Sequence, residues 1–129
     1  MTTRILQFTV LMLFLLGCKD VPYNSYSSDI TTGVNVEEAK KLIEEHSDLI
    51  IVDVRTPKEW EAGSLPGTIN IDVKANDFES QIKKLDTSET FLVHCRSGAR
   101  SSKAVKIMED QGFKNIYHLD GGFLAWTKK

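Results

Sequence analysis

Two mainly apolar runs, the first of them almost entirely aliphatic, place the strongest constraint on the fold of this 129-residue chain. They are residues 49–54 (LIIVDV) and residues 90–95 (TFLVHC). Such runs are typical of parallel β-strands that are covered on both faces, whereas a strand with one wet face alternates apolar and polar residues. We therefore expect both segments to lie inside a mainly parallel sheet.

Helix signals alternate with the strand signals. Asn35 and Thr56 each stand three residues before a glutamate, which is the pattern of an N-terminal capping box. Further strands are predicted at 30–31, 69–71 and 115–119, and helices at 35–46, 56–63, 77–85, 101–111 and 121–126. This alternation predicts an α/β fold: one domain, residues 29–129, with a mainly parallel five-stranded sheet and helices on both faces.

The first seventeen residues predict an export signal rather than a part of this fold. Ten of the twelve residues in 5–16 (ILQFTVLMLFLL) are apolar, with Arg4 before the run and Gly17 after it. A helix of this length covers about 18 Å, which is short for a hydrocarbon core of about 30 Å. A basic start, a short apolar run and a small residue are typical of a secretory signal peptide.

Residues 15–18 (LLGC) resemble the lipobox of bacterial lipoproteins. The resemblance implies cleavage before Cys18 and lipid on Cys18, with residues 18–28 as a polar tether to the domain. It also implies a lipid-anchored protein of the bacterial cell envelope that faces the periplasm. A plain signal peptide and an uncleaved anchor are the alternatives.

The number of cysteines then becomes informative. The chain has two, and lipid on Cys18 would leave Cys95 as the only thiol, so that no disulfide could form within the mature chain. A single cysteine in an oxidising compartment is a liability unless it has a chemical role. This favours a reactive Cys95 over a buried structural thiol.

A loop of small and basic residues follows the second mainly apolar run. The run ends at Cys95, and RSGARS (96–101) leads from it into a predicted helix. Ligand sites in open α/β sheets lie at the carboxyl ends of the strands, and a helix N-terminus there offers unpaired N–H groups. Small residues let successive N–H groups turn inward around an anion. The predicted anion-binding loop consists of Arg96, Ser97, Gly98, Ala99, Arg100 and Ser101.

Cys95 is the predicted catalytic residue. A thiol near cationic groups and a helix N-terminus ionises more easily than a free cysteine, and the thiolate is the nucleophile. Arg96 and Arg100 add full positive charge, although a solvated loop arginine is the competing interpretation of Arg96. The pattern predicts covalent nucleophilic catalysis on an anion, with no metal and no organic cofactor.

The spacing of cysteine and arginine bears on the type of reaction. Protein-tyrosine-type phosphatases place five residues between the two, but only four separate Cys95 from Arg100, and Ser101 occupies the phosphatase arginine position. The loop is therefore one residue short for a phosphate-sized anion. A phosphatase or an arsenate reductase is a less favoured alternative.

The segment 95–100 (CRSGAR) resembles the active-site loop of the rhodanese family, the single-domain thiosulfate sulfurtransferases. The resemblance extends over residues 29–128. It includes 53–55 (DVR) with Pro57, Glu59 and Trp60, then 63–70 (GSLPGTIN), and 119–122 (LDGG) with Trp126. Two positions depart from the family pattern, Ser64 in place of the usual histidine and Thr68 in place of the usual alanine.

The resemblance implies a single rhodanese-like domain at 29–129 that transfers sulfur through a persulfide on Cys95. A small anionic donor such as thiosulfate would bind at Arg96 and Arg100, of which Arg100 would also brace the loop. A thiol or cyanide would accept the sulfur. The alternatives are a non-catalytic module that binds persulfide or an anion, and a redox or scaffolding lipoprotein that forms mixed disulfides.

The remaining charged residues predict structural roles. Sixteen basic and eighteen acidic side chains give a net charge of −2, which removes the electrostatic argument for nucleic-acid binding. The histidines are scattered, so no zinc site is predicted. We expect an ion pair between Asp53 and Arg55, a capping role for Glu59, and a packed His94 that points away from Cys95.

Overall fold

The structure is a computed structural model that describes residues 28–128. The predicted signal peptide 1–17 and the tether up to residue 27, with Cys18, lie outside the described residues. Within the described part, no helix is both long enough and apolar enough to cross a membrane.

Five strands and five helices alternate along the chain, and all strand pairs are parallel. The strand order is β1-β5-β4-β2-β3, which confirms the predicted five-stranded parallel sheet. The elements are β1 (Thr31–Val34), α1 (Val36–Glu45), β2 (Ile50–Asp53), α2 (Pro57–Glu61), β3 (Ile69–Asn70), α3 (Phe78–Ile82), β4 (Thr90–His94), α4 (Ala99–Asp110), β5 (Asn115–Leu119) and α5 (Gly122–Thr127).

Helices cover both faces of the sheet, as predicted. On one face, α3 and α4 pack apolar side chains such as Phe78 and Met108 against the strands. On the other face, α1 and α5 do the same with Ala39 and Trp126. Successive residues of β2 and β4 alternate between these two cores, which explains why residues 50–52 and 91–93 are all apolar.

Both predicted capping boxes are present. The side chains of Asn35 and Thr56 accept from the backbone N–H of Glu38 and Glu59, and each glutamate accepts from the backbone N–H of its cap. Each box satisfies N–H groups that a helix start leaves unpaired. The helices α1 and α2 therefore begin where the sequence predicted.

Several predicted boundaries differ from the structure, and three of them have a clear cause or consequence. The first strand was predicted at 30–31 but runs from Thr31 to Val34 beside β5. The helix α3 ends at Ile82 because the chain tightens there into i→i+3 bonds, such as the one from Leu85 N–H to Ile82. The helix α4 begins at Ala99 instead of 101, because Gly98 turns the chain at φ +119° immediately before it.

The sheet order brings three strand ends together. β4 lies between β2 and β5, and parallel pairing places their carboxyl ends at one edge of the sheet. Cys95 follows β4 there, Asp53 ends β2, and Asp120 follows β5. Ligand sites of α/β sheets lie at such an edge.

Candidate active site

The sulfur of Cys95 lies under the loop that follows β4. The residue is 1% exposed, and its Sγ accepts a hydrogen bond from the Gly98 N–H at 3.0 Å and from the Ser101 hydroxyl at 3.3 Å. Burial alone would raise the pKa of this thiol, but hydrogen bonds from Ser101 and from the backbone of Ser101, Gly98 and Ser97 hold the pKa below its usual value. Cys95 is thus a buried thiol whose anion is stabilised by its own loop.

The start of α5 fixes the orientation of this loop. The N–H groups of Phe123 and Leu124 donate to the carbonyl oxygens of Cys95 (2.8 Å) and Arg96 (2.9 Å). These contacts require close approach, and Gly122 allows it because an added Cβ there would overlap the backbone of Cys95 and Arg96. With the carbonyl groups held by α5, the N–H groups of the loop face the sulfur.

The two loop arginines have different surroundings. The Arg100 guanidinium forms a two-point ion pair with the Glu59 carboxylate, with nitrogen–oxygen distances of 2.7 and 2.8 Å. The hydrogen bonds from Arg100 hold the pKa of Glu59 well below its ordinary range. Glu59 also caps α2, so Arg100 ties the loop to that helix. Arg96 is exposed and forms no ion pair within residues 28–128.

A buried ion pair between Arg55 and Asp53 lies at the end of β2, the strand next to β4. Arg55 Nε lies 3.0 Å from both carboxylate oxygens of Asp53, and its Nη2 reaches Asp53 at 2.7 Å and the Gly63 carbonyl at 2.6 Å. The guanidinium also lies 4.3 Å from the ring centre of Phe123 in α5. Burial opposes ionisation of Asp53, but the hydrogen bonds from Arg55 and the charge of His94 leave its pKa below the usual value. Asp53 and Arg55 therefore join β2, the segment after α2, and α5.

The comparisons with known proteins agree with this geometry. A family model described as Rhodanese-like domain matches residues 35–129. This chain belongs to the rhodanese-like domain family.

Individual relatives extend the comparison. The chain is 29% identical to the thiosulfate sulfurtransferase GlpE of Pseudoalteromonas translucida, over 72% of this chain and 86% of the relative. It is 31% identical to a tRNA uridine(34) hydroxylase of Cytophaga hutchinsonii, over 74% of this chain but only 32% of that protein. The crystal structure of a rhodanese-like domain protein from Staphylococcus aureus matches with a TM-score of 0.67 and 27% identity, covering 75% and 92% of the two chains. This rhodanese-like domain thus has relatives that are sulfurtransferases by name.

Two sequence departures in this rhodanese-like domain lie next to each other. The Thr68 hydroxyl accepts from Trp60 Nε1 at 2.9 Å and donates to Ser64 at 3.1 Å, and Ser64 donates to Asp53 at 2.7 Å. The two hydroxyl groups therefore form one hydrogen-bonded chain that ends on the buried carboxylate. The two hydroxyl groups thus help to hold the Asp53 carboxylate in place, and neither donates to the Cys95 sulfur.

The histidines of this rhodanese-like domain differ in their distance from the reactive group. His94 is fully buried, with Nδ1 3.2 Å from the Cys95 carbonyl and its ring stacked on Phe123. His118 is fully buried too, and its Nε2 lies 2.7 Å from the Ser101 hydroxyl. Sequence reasoning assigned no role to His118. The only signal was its place near the end of the strand that pairs with β4.

The described residues contain no group of three or more His, Cys, Asp or Glu that could hold a metal ion. The groups that donate hydrogen bonds to the Cys95 sulfur are the Gly98 N–H and the Ser101 hydroxyl. Such groups stabilise negative charge on a nucleophile and on its product. The surroundings of Cys95 therefore suit a thiolate.

Proposed function

We propose that this protein is a sulfurtransferase that moves sulfane sulfur from thiosulfate, or from a similar anionic donor, to a nucleophilic acceptor through a persulfide on Cys95. The observation that carries the proposal is the position of Cys95 Sγ, which accepts hydrogen bonds from Gly98 N–H and Ser101 inside the loop. These donors stabilise a sulfur anion. They would serve both the thiolate and the terminal sulfur of the persulfide.

Two displacements complete the proposed cycle. The Cys95 thiolate attacks the outer sulfur of the donor, a new S–S bond forms, and the S–S bond of thiosulfate breaks. Sulfite leaves with the electron pair. A thiol or cyanide then attacks the terminal sulfur of the persulfide, and the Cys95 thiolate is the leaving group.

Arg96 and Arg100 have different roles in the proposed reaction. Exposed Arg96 has no carboxylate partner within the described chain, and it supplies the charge that attracts an anionic donor. Arg100 is held by Glu59, so its main role is to brace the loop. Ser101 stands where a phosphatase has the arginine that clamps phosphate, which argues against a phosphatase.

Mass spectrometry of the intact protein tests the proposal. We use the full chain with Cys18→Ser, so that Cys95 is the only thiol. After thiosulfate treatment we expect a gain of one sulfur atom, its removal by cyanide, and no gain in the matched Cys18→Ser/Cys95→Ser protein.

Other outcomes identify the alternatives. If Cys95 gains no sulfur but is alkylated by iodoacetamide, thiosulfate is not a donor and the non-catalytic binding module is favoured. Release of p-nitrophenol from p-nitrophenyl phosphate, lost with Cys95→Ser, would instead indicate a phosphatase.

We also propose that Cys18 carries lipid and anchors the domain in the bacterial envelope, facing the periplasm. The support is the order of Arg4, the apolar run 5–16, Gly17 and Cys18. After growth with a labelled fatty acid, we expect label on the membrane-bound protein and none on Cys18→Ser. An unlabelled protein with residues 1–17 removed indicates a plain signal peptide, and one that retains them an uncleaved anchor.

A further inference from the structure

We propose that Ser101, His118 and Asp120 form a proton relay that accepts the proton of the Cys95 thiol and stabilises the resulting thiolate. The relay concerns the ionisation of Cys95, so it goes beyond the proposed function and applies whichever anion the thiolate attacks. His118 and Asp120 act through Ser101 and are positioning residues.

The four side chains lie in a continuous line. Ser101 Oγ is 3.3 Å from Cys95 Sγ and 2.7 Å from His118 Nε2, and His118 Nδ1 is 3.4 Å from Asp120 Oδ1. Cys95, Ser101 and His118 are at most 1% exposed, whereas the Asp120 side chain is 23% exposed. The line therefore begins at the buried sulfur and ends at the protein surface.

The single proton of the Ser101 hydroxyl determines how the line is connected. With Cys95 as a thiol, S–H donates to Ser101 Oγ, the hydroxyl donates to His118 Nε2, and Nδ1–H donates to Asp120. The Gly98 carbonyl, 3.1 Å from the hydroxyl, competes weakly because it already accepts from the N–H and the hydroxyl of Ser102. In this arrangement every donor has an acceptor.

Proton transfer reverses the direction of the hydrogen bonds between Cys95 and Ser101 and between Ser101 and His118, and every donor again has an acceptor. The thiol proton moves to Ser101 Oγ, the hydroxyl proton moves to His118 Nε2, and no atom is gained or lost. In the product, the Cys95 thiolate accepts a hydrogen bond from the Ser101 hydroxyl. Ser101 Oγ in turn accepts from Nε2–H of the His118 imidazolium, and Nδ1–H of the same ring donates to the Asp120 carboxylate. Beside neutral His118, either the thiolate would lose the hydrogen bond from Ser101 and keep the one from Gly98 N–H, or Asp120 would lose the hydrogen bond from Nδ1–H. Ionisation of Cys95 therefore favours transfer along the line.

Electrostatics agrees with this assignment. Burial holds the pKa of His118 below its usual value despite the opposing effect of Asp120, so the imidazole is neutral and has a lone pair to accept the proton. The neighbouring strands place Gly33 and Val93 opposite His118. Within residues 28–128, the titratable groups near His118 include Asp120 on its own segment, Cys95 beyond Ser101, and His94, whose pKa His118 lowers.

The rate at which iodoacetamide alkylates Cys95 tests the relay without any sulfur donor. We use the full chain with Cys18→Ser and measure the rate from about pH 5 to about pH 10, which spans the ordinary histidine and cysteine pKa values. With His118→Asn we expect an about tenfold slower reaction near pH 6.5 and an unchanged plateau at high pH, because an imidazolium no longer favours the thiolate. Asp120→Asn should have a smaller effect of the same sign.

Two comparisons make the alkylation test specific. His46→Asn changes an exposed histidine at the end of α1 and should leave the profile unchanged. Ser101→Ala should slow the reaction at least as much as His118→Asn, and the double variant should be no slower than Ser101→Ala alone, because both residues act in one line. A folded His118→Asn protein with the wild-type profile would overturn the proposal.

A second measurement leaves His118 in place, so it does not depend on whether the His118 variants fold. The ring nitrogens of His118 are titrated by NMR with Cys95 and with Cys95→Ser. The thiolate favours the imidazolium, so we expect His118 to lose its proton at higher pH in the protein that keeps Cys95. Identical titrations would overturn the relay and leave the sulfurtransferase proposal untouched.

Discussion

Gly122→Ala is expected to abolish persulfide formation and to destabilise the domain. An added Cβ would lie 2.5 Å from the Cys95 carbonyl oxygen and 2.7 Å from the Arg96 carbonyl carbon, both of them backbone atoms. Left-handed backbone at φ +58° adds about 1–2 kcal/mol for a residue with a side chain, and forced overlap adds about 1–3 kcal/mol. We expect the melting temperature to fall by more than about 10 °C, as measured by circular dichroism.

Gly67→Ala is the matched control for this prediction. Its φ of +69° is similar, but an added Cβ would meet nothing within 4 Å. The control carries the backbone strain alone, so we expect a smaller loss of stability and normal sulfur uptake by Cys95. Equal behaviour of the two variants would show that the close approach of α5 to the loop is unimportant.

Asp53→Asn is expected to lower the free energy of unfolding at pH 7 by about 3–5 kcal/mol, because Arg55 would remain buried without its counter-charge. Arg55 is 3% exposed and Asp53 is fully buried, so water cannot replace the lost contact. Denaturation with urea at pH 7 measures the change. The exposed Asp48→Asn is the control and should stay within about 0.5 kcal/mol of the wild type.

The pH dependence of stability gives a second readout for Asp53. Its pKa is lower in the folded protein than the usual value, so its contribution is present above the pKa of the unfolded state and is lost as pH falls through the folded value. We therefore expect the gap between the wild type and Asp53→Asn to narrow in acid. A constant gap would contradict a stabilising role for the carboxylate charge.

Much of the fold could be predicted because its signals are local. The mainly apolar pattern of 49–54 and 90–95 is the direct result of burial on both faces, and two capping boxes mark the starts of α1 and α2. Boundaries were less predictable where tertiary contacts decide them. The start of α4 at Ala99 depends on Gly98, whose φ of +119° turns the chain so that its N–H donates to the Cys95 sulfur.

The site could be predicted in part for the same reason. The loop after Cys95 is contiguous in sequence, so its small and basic residues were visible together. The pairing of Arg100 with Glu59 joins residues 41 positions apart, and the contact of Ser101 with His118 joins residues 17 apart. Such contacts depend on the tertiary fold, which pairs β5 with β4 and brings Glu59 of α2 next to the loop.

Because the N–H groups of α5 orient the loop around Cys95, the thiol can acquire its lowered pKa only after α5 has been synthesised and has packed against the loop. A chain emerges from the ribosome with Cys95 well ahead of Phe123 and Leu124, whose N–H groups orient the loop. Until those residues arrive, Cys95 is an ordinary thiol and is mostly protonated at neutral pH. The nascent protein therefore carries a mostly protonated thiol through synthesis, and the thiol of lowered pKa exists only in the folded domain.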